Sequence, residues 1–273
     1  SSSSSGSSGD GGGNPELPNL GCSIAQGHAV LHLSASSAEA DTDGQVQRWK
    51  NLSGPEVGQR TGTVGGIRKL DVGGKPAVVF ENLRAGETAP IPEMRIRFNS
   101  MGRVVDGAFA LFVVGGHDAG FDPPFDGSSV GITYLFSGSA NSRLQLMGRY
   151  HRPTQDDFAG FGALFFSGTS LSDHVGVYAD AEVNGGMHIF EVVDSEVAAG
   201  QYKATLVIDG SAQPETSHGP ERKPSTNTTI FLGGSDRPDQ MLAGRLSEVV
   251  LLSAPTAQEV DCVRKNLHQK YGK

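Results

Sequence analysis

The stretch from Gly244 to Gly272, G-R-L-S-E-V-V-L-L-S-A-P-T-A-Q-E-V-D-C-V-R-K-N-L-H-Q-K-Y-G, constrains the fold more than any other in the chain. It reads as a buried strand over Leu246–Leu252, rich in Val and Leu, then a proline and a closing helix. Thr256 stands where a helix cap is expected, with Glu259 three residues on, the spacing of a capping box. Val260, Val263, Leu267 and Tyr271 recur at helical spacing, so one stripe is apolar. Gly272 stands where a helix is expected to stop. A strand leading directly into a terminal helix needs a partner sheet upstream, and the rest of the chain supplies it in short pieces.

Those pieces begin at Ala29–Ala35 and continue at Pro76–Phe80, Met94–Phe98, Ala108–Val114, Val130–Phe136, Leu144–Gly148, Ala163–Phe166 and Val175–Ala179. Met187–Val193, Lys203–Ile208 and Thr228–Leu232 precede the strand at Leu246. Met94-Arg95-Ile96-Arg97-Phe98 alternates apolar and polar, which gives a strand one wet face. Ala108–Val114 is continuously apolar and reads as central. Asp209-Gly210 marks a hairpin turn, because the turn needs positive φ. Ser36–Gly44 is polar and acidic and reads as a surface loop. About a dozen short strands at such intervals predict an all-β sandwich, two antiparallel sheets with one C-terminal α-helix.

Both ends of this pattern resemble the bacterial LamG-like domains of the concanavalin A-like jelly-roll group. The C-terminal end resembles them through Gly244, Leu246, Glu248, Val249 and Leu251, then the capped turn and Lys270-Tyr271-Gly272. The N-terminal end does so through Ala29–Ala35, the Val46-Gln-Arg-Trp49-Lys-Asn51-Leu-Ser-Gly54 turn and Gly74-Lys-Pro-Ala-Val-Val-Phe80. His32 stands where the family carries an aromatic residue, Ser34 where it carries an acid and Asn51 where it carries Asp. The resemblance implies a jelly-roll fold. It carries little about function, which resides in sites grafted onto folds. Trp49, the sole tryptophan, is expected to pack under its turn as its counterpart does, rather than to serve as a sugar platform.

The 273 residues divide into a flexible Ser/Gly-rich linker over residues 1–20 and one domain over 21–273. Ser1–Asn14 contains no apolar residue and so has nothing to bury. It is similar to the tether behind the lipidated cysteine of a bacterial lipoprotein, which implies an anchor upstream of Ser1 and a cell-surface or extracellular location. An artificial linker is the alternative. The net charge of −8 repels phosphate backbones and argues against nucleic acid. No apolar run approaches the roughly 20 residues that span a bilayer. The two cysteines, Cys22 and Cys262, are expected to form a disulfide, because an exported chain with an even count favours one. Two unrelated thiols are the alternative.

The residues that carry chemistry point more to binding than to catalysis. Glu191, Asp194 and Glu196 fail the two-carboxylate requirement of a glycosidase, because on a strand Glu191 faces away from the other two. No G-x-S-x-G elbow and no zinc-ligand spacing occurs. Arg149-Tyr150-His151-Arg152 carries the residue types of a lyase, with Arg149 and His151 on one face if the strand continues. The same cluster suits an anionic glycan that is bound and not cleaved. The loop Asp118–Asp126 offers Asp118, Asp122 and Asp126 as calcium oxygens and Phe121 and Phe125 as contacts for a partner. The expected role is a non-catalytic binding module at the cell surface, for a glycan or a matrix protein. A polysaccharide lyase or hydrolase, or a structural module of a surface assembly, are the rivals.

Overall fold

The computed structural model describes residues 16–62, 66–81, 95–99, 101, 107–118, 132–138, 145–150, 160–166, 174–179, 186–219, 229–234 and 242–273. In chain order the strands are β1 (Glu16–Leu17), β2 (Cys22–Ser23), β3 (Ala29–Ser34), β4 (Ala38–Ala40), β5 (Val46–Lys50), β6 (Val57–Thr61), β7 (Ile67–Val72), β8 (Lys75–Phe80), β9 (Arg95–Phe98) and β10 (Phe109–His117). Then come β11 (Ile132–Gly138), β12 (Gln145–Tyr150), β13 (Gly160–Phe166), β14 (His174–Tyr178), β15 (His188–Ala198), β16 (Gln201–Ile208), β17 (Ser211–Ala212), β18 (Thr216–His218), β19 (Ile230–Leu232) and β20 (Gly244–Ser253). Helix α1 (Ala257–Tyr271) closes the chain, and β1 pairs with β2 in a separate two-stranded sheet.

The other strands form two antiparallel sheets. Sheet one runs β17-β16-β15-β10-β20-β8-β7, with β3 also on β20 and β18 also on β16. Sheet two runs β14-β13-β12-β11-β19-β9-β6-β5-β4. Between them lies the main core, where Trp49, Phe80, Phe98, Phe109, Phe136 and Phe190 are buried. β10 is buried at every position because it works on both sides. Phe109, Leu111 and Val113 enter the main core. Ala110, Phe112 and Val114 enter a second core beneath α1.

The helix forms where its end signals predict. Thr256 Oγ1 accepts the Glu259 amide at 3.2 Å, Glu259 Oε2 accepts the Thr256 amide at 2.7 Å, and Gly272 closes the helix at φ 69°. Val260, Val263 and Leu267 rest on sheet one beside Leu17, Leu20, Cys22 and Ile24 of the N-terminal segment. Leu17 and Leu20 are therefore part of the folded domain, which begins earlier than the 20/21 boundary expected. Disulfide Cys22–Cys262, with Cα atoms 5.8 Å apart, fastens this segment to the helix as predicted.

Two buried carboxylates of sheet one also dock the helix. Glu248, on β20, accepts from His32 Nε2 at 3.0 Å, Lys270 Nζ at 2.7 Å and Tyr271 Oη at 2.8 Å. Burial pushes its pKa up, but His32 and Lys270 outweigh burial and leave it below the ordinary value. Burial and the adjacent Glu248 charge push the Tyr271 phenol up. Glu191 receives Arg264 Nε at 2.8 Å, yet burial wins and its pKa is raised. A buried ion pair of this kind is costly to desolvate, so it contributes orientation of the helix more than stability.

Six strands of the two sheets were not expected, among them the short β17 and β18. β4 and β5 occupy the stretches read as loop and turn, and β6 and β7 lie in the stretch after Gly54, where the sequence predicts no element. Ser36–Gly44 in particular is not all loop, since Ala38–Ala40 pairs with β5. These strands are short and polar, so their sequence lacks an apolar run. Among the described residues no helix is long and apolar enough to cross a membrane.

Candidate ligand-binding face

The face of sheet two turned away from the core is the candidate site. Its geometry follows from simple alternation on three neighbouring strands. In β9, Ile96 and Phe98 enter the core, so Arg95 and Arg97 point outward. In β6, Gly58 faces the core, which leaves Val57, Gln59 and Thr61 outward. A Cβ on Gly58 would lie 2.3 Å from the Phe98 ring. In β5, Trp49 enters the core and donates Nε1 to Ser34 O at 2.7 Å, which leaves Arg48 and Lys50 outward. Trp49 is fully buried, so it is the turn-packing residue expected and not an exposed sugar platform.

Register then brings these residues into a line across the strands. Glu39 pairs with Arg48, Arg48 with Gln59, Gln59 with Arg97, Arg97 with Phe231, and Phe231 with Ser137. Phe231 is outward between two core residues, Ile230 and Leu232, yet only 4% exposed. Two guanidinium groups lie over its ring. The Arg95 carbon lies 4.8 Å from the ring centroid and that of Arg97 5.9 Å. Such a stack holds two flexible side chains in place, which lowers the entropy lost when they bind something. Among the described residues, Arg48 and Arg97 form no ion pair and the Gln59 amide makes no hydrogen bond. Glu39, at the end of the line, is taken by Lys50 at 2.5 Å. The Lys50 ammonium, with help from Arg48, holds its carboxyl below the ordinary range.

The residues singled out in sequence distribute unevenly. Arg149 and Tyr150 lie on β12 of the same sheet, paired with Thr133 and Ile132. β12 is two strands from Phe231, and Arg149 is four residues along from Gln145, which pairs with Ser137 of the same line. That separates Arg149 from the line by about 13 Å along the strand, at about 3.3 Å per residue. His151, Phe121, Phe125, Asp122 and Asp126 lie outside the described residues. Asp118 accepts Arg245 Nη2 at 2.8 Å. Glu191, Asp194 and Glu196 separate as the alternation predicts. Glu191 faces α1. Asp194 is buried against His218 Nε2 at 2.8 Å, with His218 stacked on Tyr202. Glu196 is exposed and caps the Gly200 amide. Glu191 lies on the opposite side of β15 from Asp194 and Glu196, so the three do not converge on one bond.

Arg95 and Arg97 were legible as the wet face of an alternating strand, but nothing in the sequence placed that face next to Arg48 and Gln59. Phe231 carried no signal at all, because Ile230-Phe231-Leu232 reads as uniformly apolar.

The chain matches no established family profile, and no curated protein matches it in sequence. Solved structures match its fold. The botulinum neurotoxin type G receptor-binding domain aligns over 89% of this chain with a TM-score of 0.54 at 10% identity. The binding domain of Paraclostridial mosquitocidal protein 1 aligns over 88% with a TM-score of 0.53 at 10% identity. The chain spans about half of each, 51% and 52%. Domain 4 of AbnA, a GH43 extracellular arabinanase from Geobacillus stearothermophilus, was solved in complex with arabinotriose. It aligns over 86% of this chain and 98% of its own length, with a TM-score of 0.52 at 15% identity. These likenesses show a shared β-sandwich.

Proposed function

We propose that the chain is a non-catalytic binding module of an exported protein, and that it takes an anionic glycan on the outward face of sheet two. The observation that carries this reading is the line of Arg48, Gln59 and Arg97, without ion pairs among the described residues, with Arg95 and Arg97 stacked on Phe231, on a chain of net charge −8. Cations collected on one face of an acidic protein select for anions. The intervening amide donates and accepts, as sugar hydroxyls require. The arabinotriose complex of the arabinanase domain and the receptor-binding role named for the toxin domain support a binding module on this fold. The disulfide supports export, since such bonds persist in oxidising compartments. The LamG-like motifs support a cell-surface protein.

The test is binding of an anionic polysaccharide by the parent and by a folded Arg48→Ala, Arg97→Ala variant, at two salt concentrations, with and without calcium. Exposed charge pairs are each worth up to about 1 kcal/mol, so each arginine lost weakens binding by up to about fivefold. Raised salt weakens the parent more than the variant, because screening acts over about 8 Å at physiological ionic strength. Binding by the variant equal to that of the parent removes this face from consideration. A requirement for calcium moves the site to the loop carrying Asp118, Asp122 and Asp126.

A further inference from the structure

We infer that the face selects a linear polysaccharide bearing its anionic group on every second sugar, in preference to one charged on every sugar. This rests on the reading above and adds the charge period of the ligand. β5, β6 and β9 are adjacent, and their outward residues in register are Arg48, Gln59 and Arg97. The line is therefore cation, neutral amide, cation, with a step of about 4.8 Å between strands. A sugar in an extended polysaccharide advances by about the same distance. A chain lying across the strands places one sugar per strand, and the two arginines then meet sugars two apart.

The middle position decides the selectivity. The Gln59 amide suits a hydroxyl or an acetamido group, because it offers a donor and an acceptor together. A carboxylate at that position leaves the amide carbonyl facing a negative charge. It also sets three adjacent anions against two cations. Arg97 is held by its stack on Phe231, so the spacing of the two cations is partly set before the ligand arrives. Phe231 acts here as a positioning residue, since its ring lies under the guanidinium groups. The Glu39 carboxylate beyond Arg48 limits the line at that end, because it repels a further anion.

Simple attraction to a cationic patch predicts the opposite preference, since a fully charged oligomer carries more anions per unit length. The experiment exploits that contrast. An alternating uronate–N-acetylhexosamine hexasaccharide and an oligogalacturonate of the same length are titrated calorimetrically against the parent and against Gln59→Arg at fixed ionic strength. Gln59 is exposed, so the variant is expected to fold, and its thermal unfolding is measured alongside. The parent is expected to bind the alternating oligomer about fivefold more tightly, and Gln59→Arg to cancel or reverse that ratio. Equal or tighter binding of oligogalacturonate by the parent, or an unchanged ratio in the folded variant, overturns the charge period and leaves the anionic-glycan reading standing. Failure of both oligomers to bind overturns both.

Discussion

Single residues matter most where backbone approaches backbone. At the paired ends of β10 and β20, Gly116 and Gly244 leave no space for a side chain. A Cβ on Gly116 would lie 1.8 Å from the carbonyl oxygen of Gly186, and one on Gly244 would lie 2.2 Å from that of Gly116. Backbone atoms cannot rotate away as the end of a side chain can, so the segment at Gly186 would have to move off β10 in the first case, and β20 off β10 in the second. Gly116→Ala is expected to lower stability by at least the about 1–3 kcal/mol typical of overpacking, read from the denaturant midpoint at unchanged slope. Gly58→Ala meets the Phe98 and Ile96 side chains instead, which can adjust in part, and its cost is expected to be the smaller of the two. An equal or reversed order would mean that the end of β10 is more pliable than its close contacts imply.

At the scale of the element, α1 is tied down at its first turn by one carboxylate. Glu259 completes the capping box and also accepts from the Ala25 amide at 2.6 Å and from His28 Nδ1 at 2.9 Å, which draws the N-terminal segment onto the helix. Burial works against its charge, but the amides of Ala25 and Thr256 and the His28 and Thr256 side chains outweigh it and hold the pKa at about 2. Its folded value lies below its unfolded one. The stabilisation is therefore complete above the ordinary carboxylate range and is lost as pH falls toward about 2. Glu259→Gln is expected to lower the melting temperature at pH 7 and to narrow the gap from the parent as pH drops from 5 to 2. A gap independent of pH would assign the effect to packing. Thr256→Ala removes the other half of the box and is expected to cost about 1 kcal/mol.

Across the whole molecule, the disulfide joins residues 240 apart in sequence and closes a loop that contains both sheets. In the chain-entropy model a loop of this length destabilises the unfolded chain by about 5 kcal/mol. A Cys22→Ser, Cys262→Ser variant is expected to unfold at distinctly lower denaturant, with the largest loss of hydrogen-exchange protection in α1 and residues 16–24. Thiol titration of the denatured, unreduced parent is expected to find no reactive thiol. Two thiols per chain would refute the bridge. The same fastening leaves α1 on one face of the sandwich, over sheet one, so the outward face of sheet two lies on the opposite side from the helix and the N-terminal segment.

The local signals of this chain were enough for its class, its helix and its central strands. Thr256, Glu259 and Gly272 act within a few residues of one another, and the apolar run of β10 needs only a sheet to enter, so neither depends on distant sequence. The disulfide was legible because only one pairing exists. What sequence could not supply was adjacency. β4 to β7 are too polar and short to announce themselves, and they become strands because β9 and β8 offer them edges. Arg48, Gln59 and Arg97 come from three separated segments, and only the register of β5, β6 and β9 sets them in line. Phe231 reads as core in the sequence, and only its position in sheet two turns it outward beneath two arginines. Side-chain periodicity is a local property, whereas strand pairing is a long-range one, and the charge pattern of the candidate site exists only after the second has been decided.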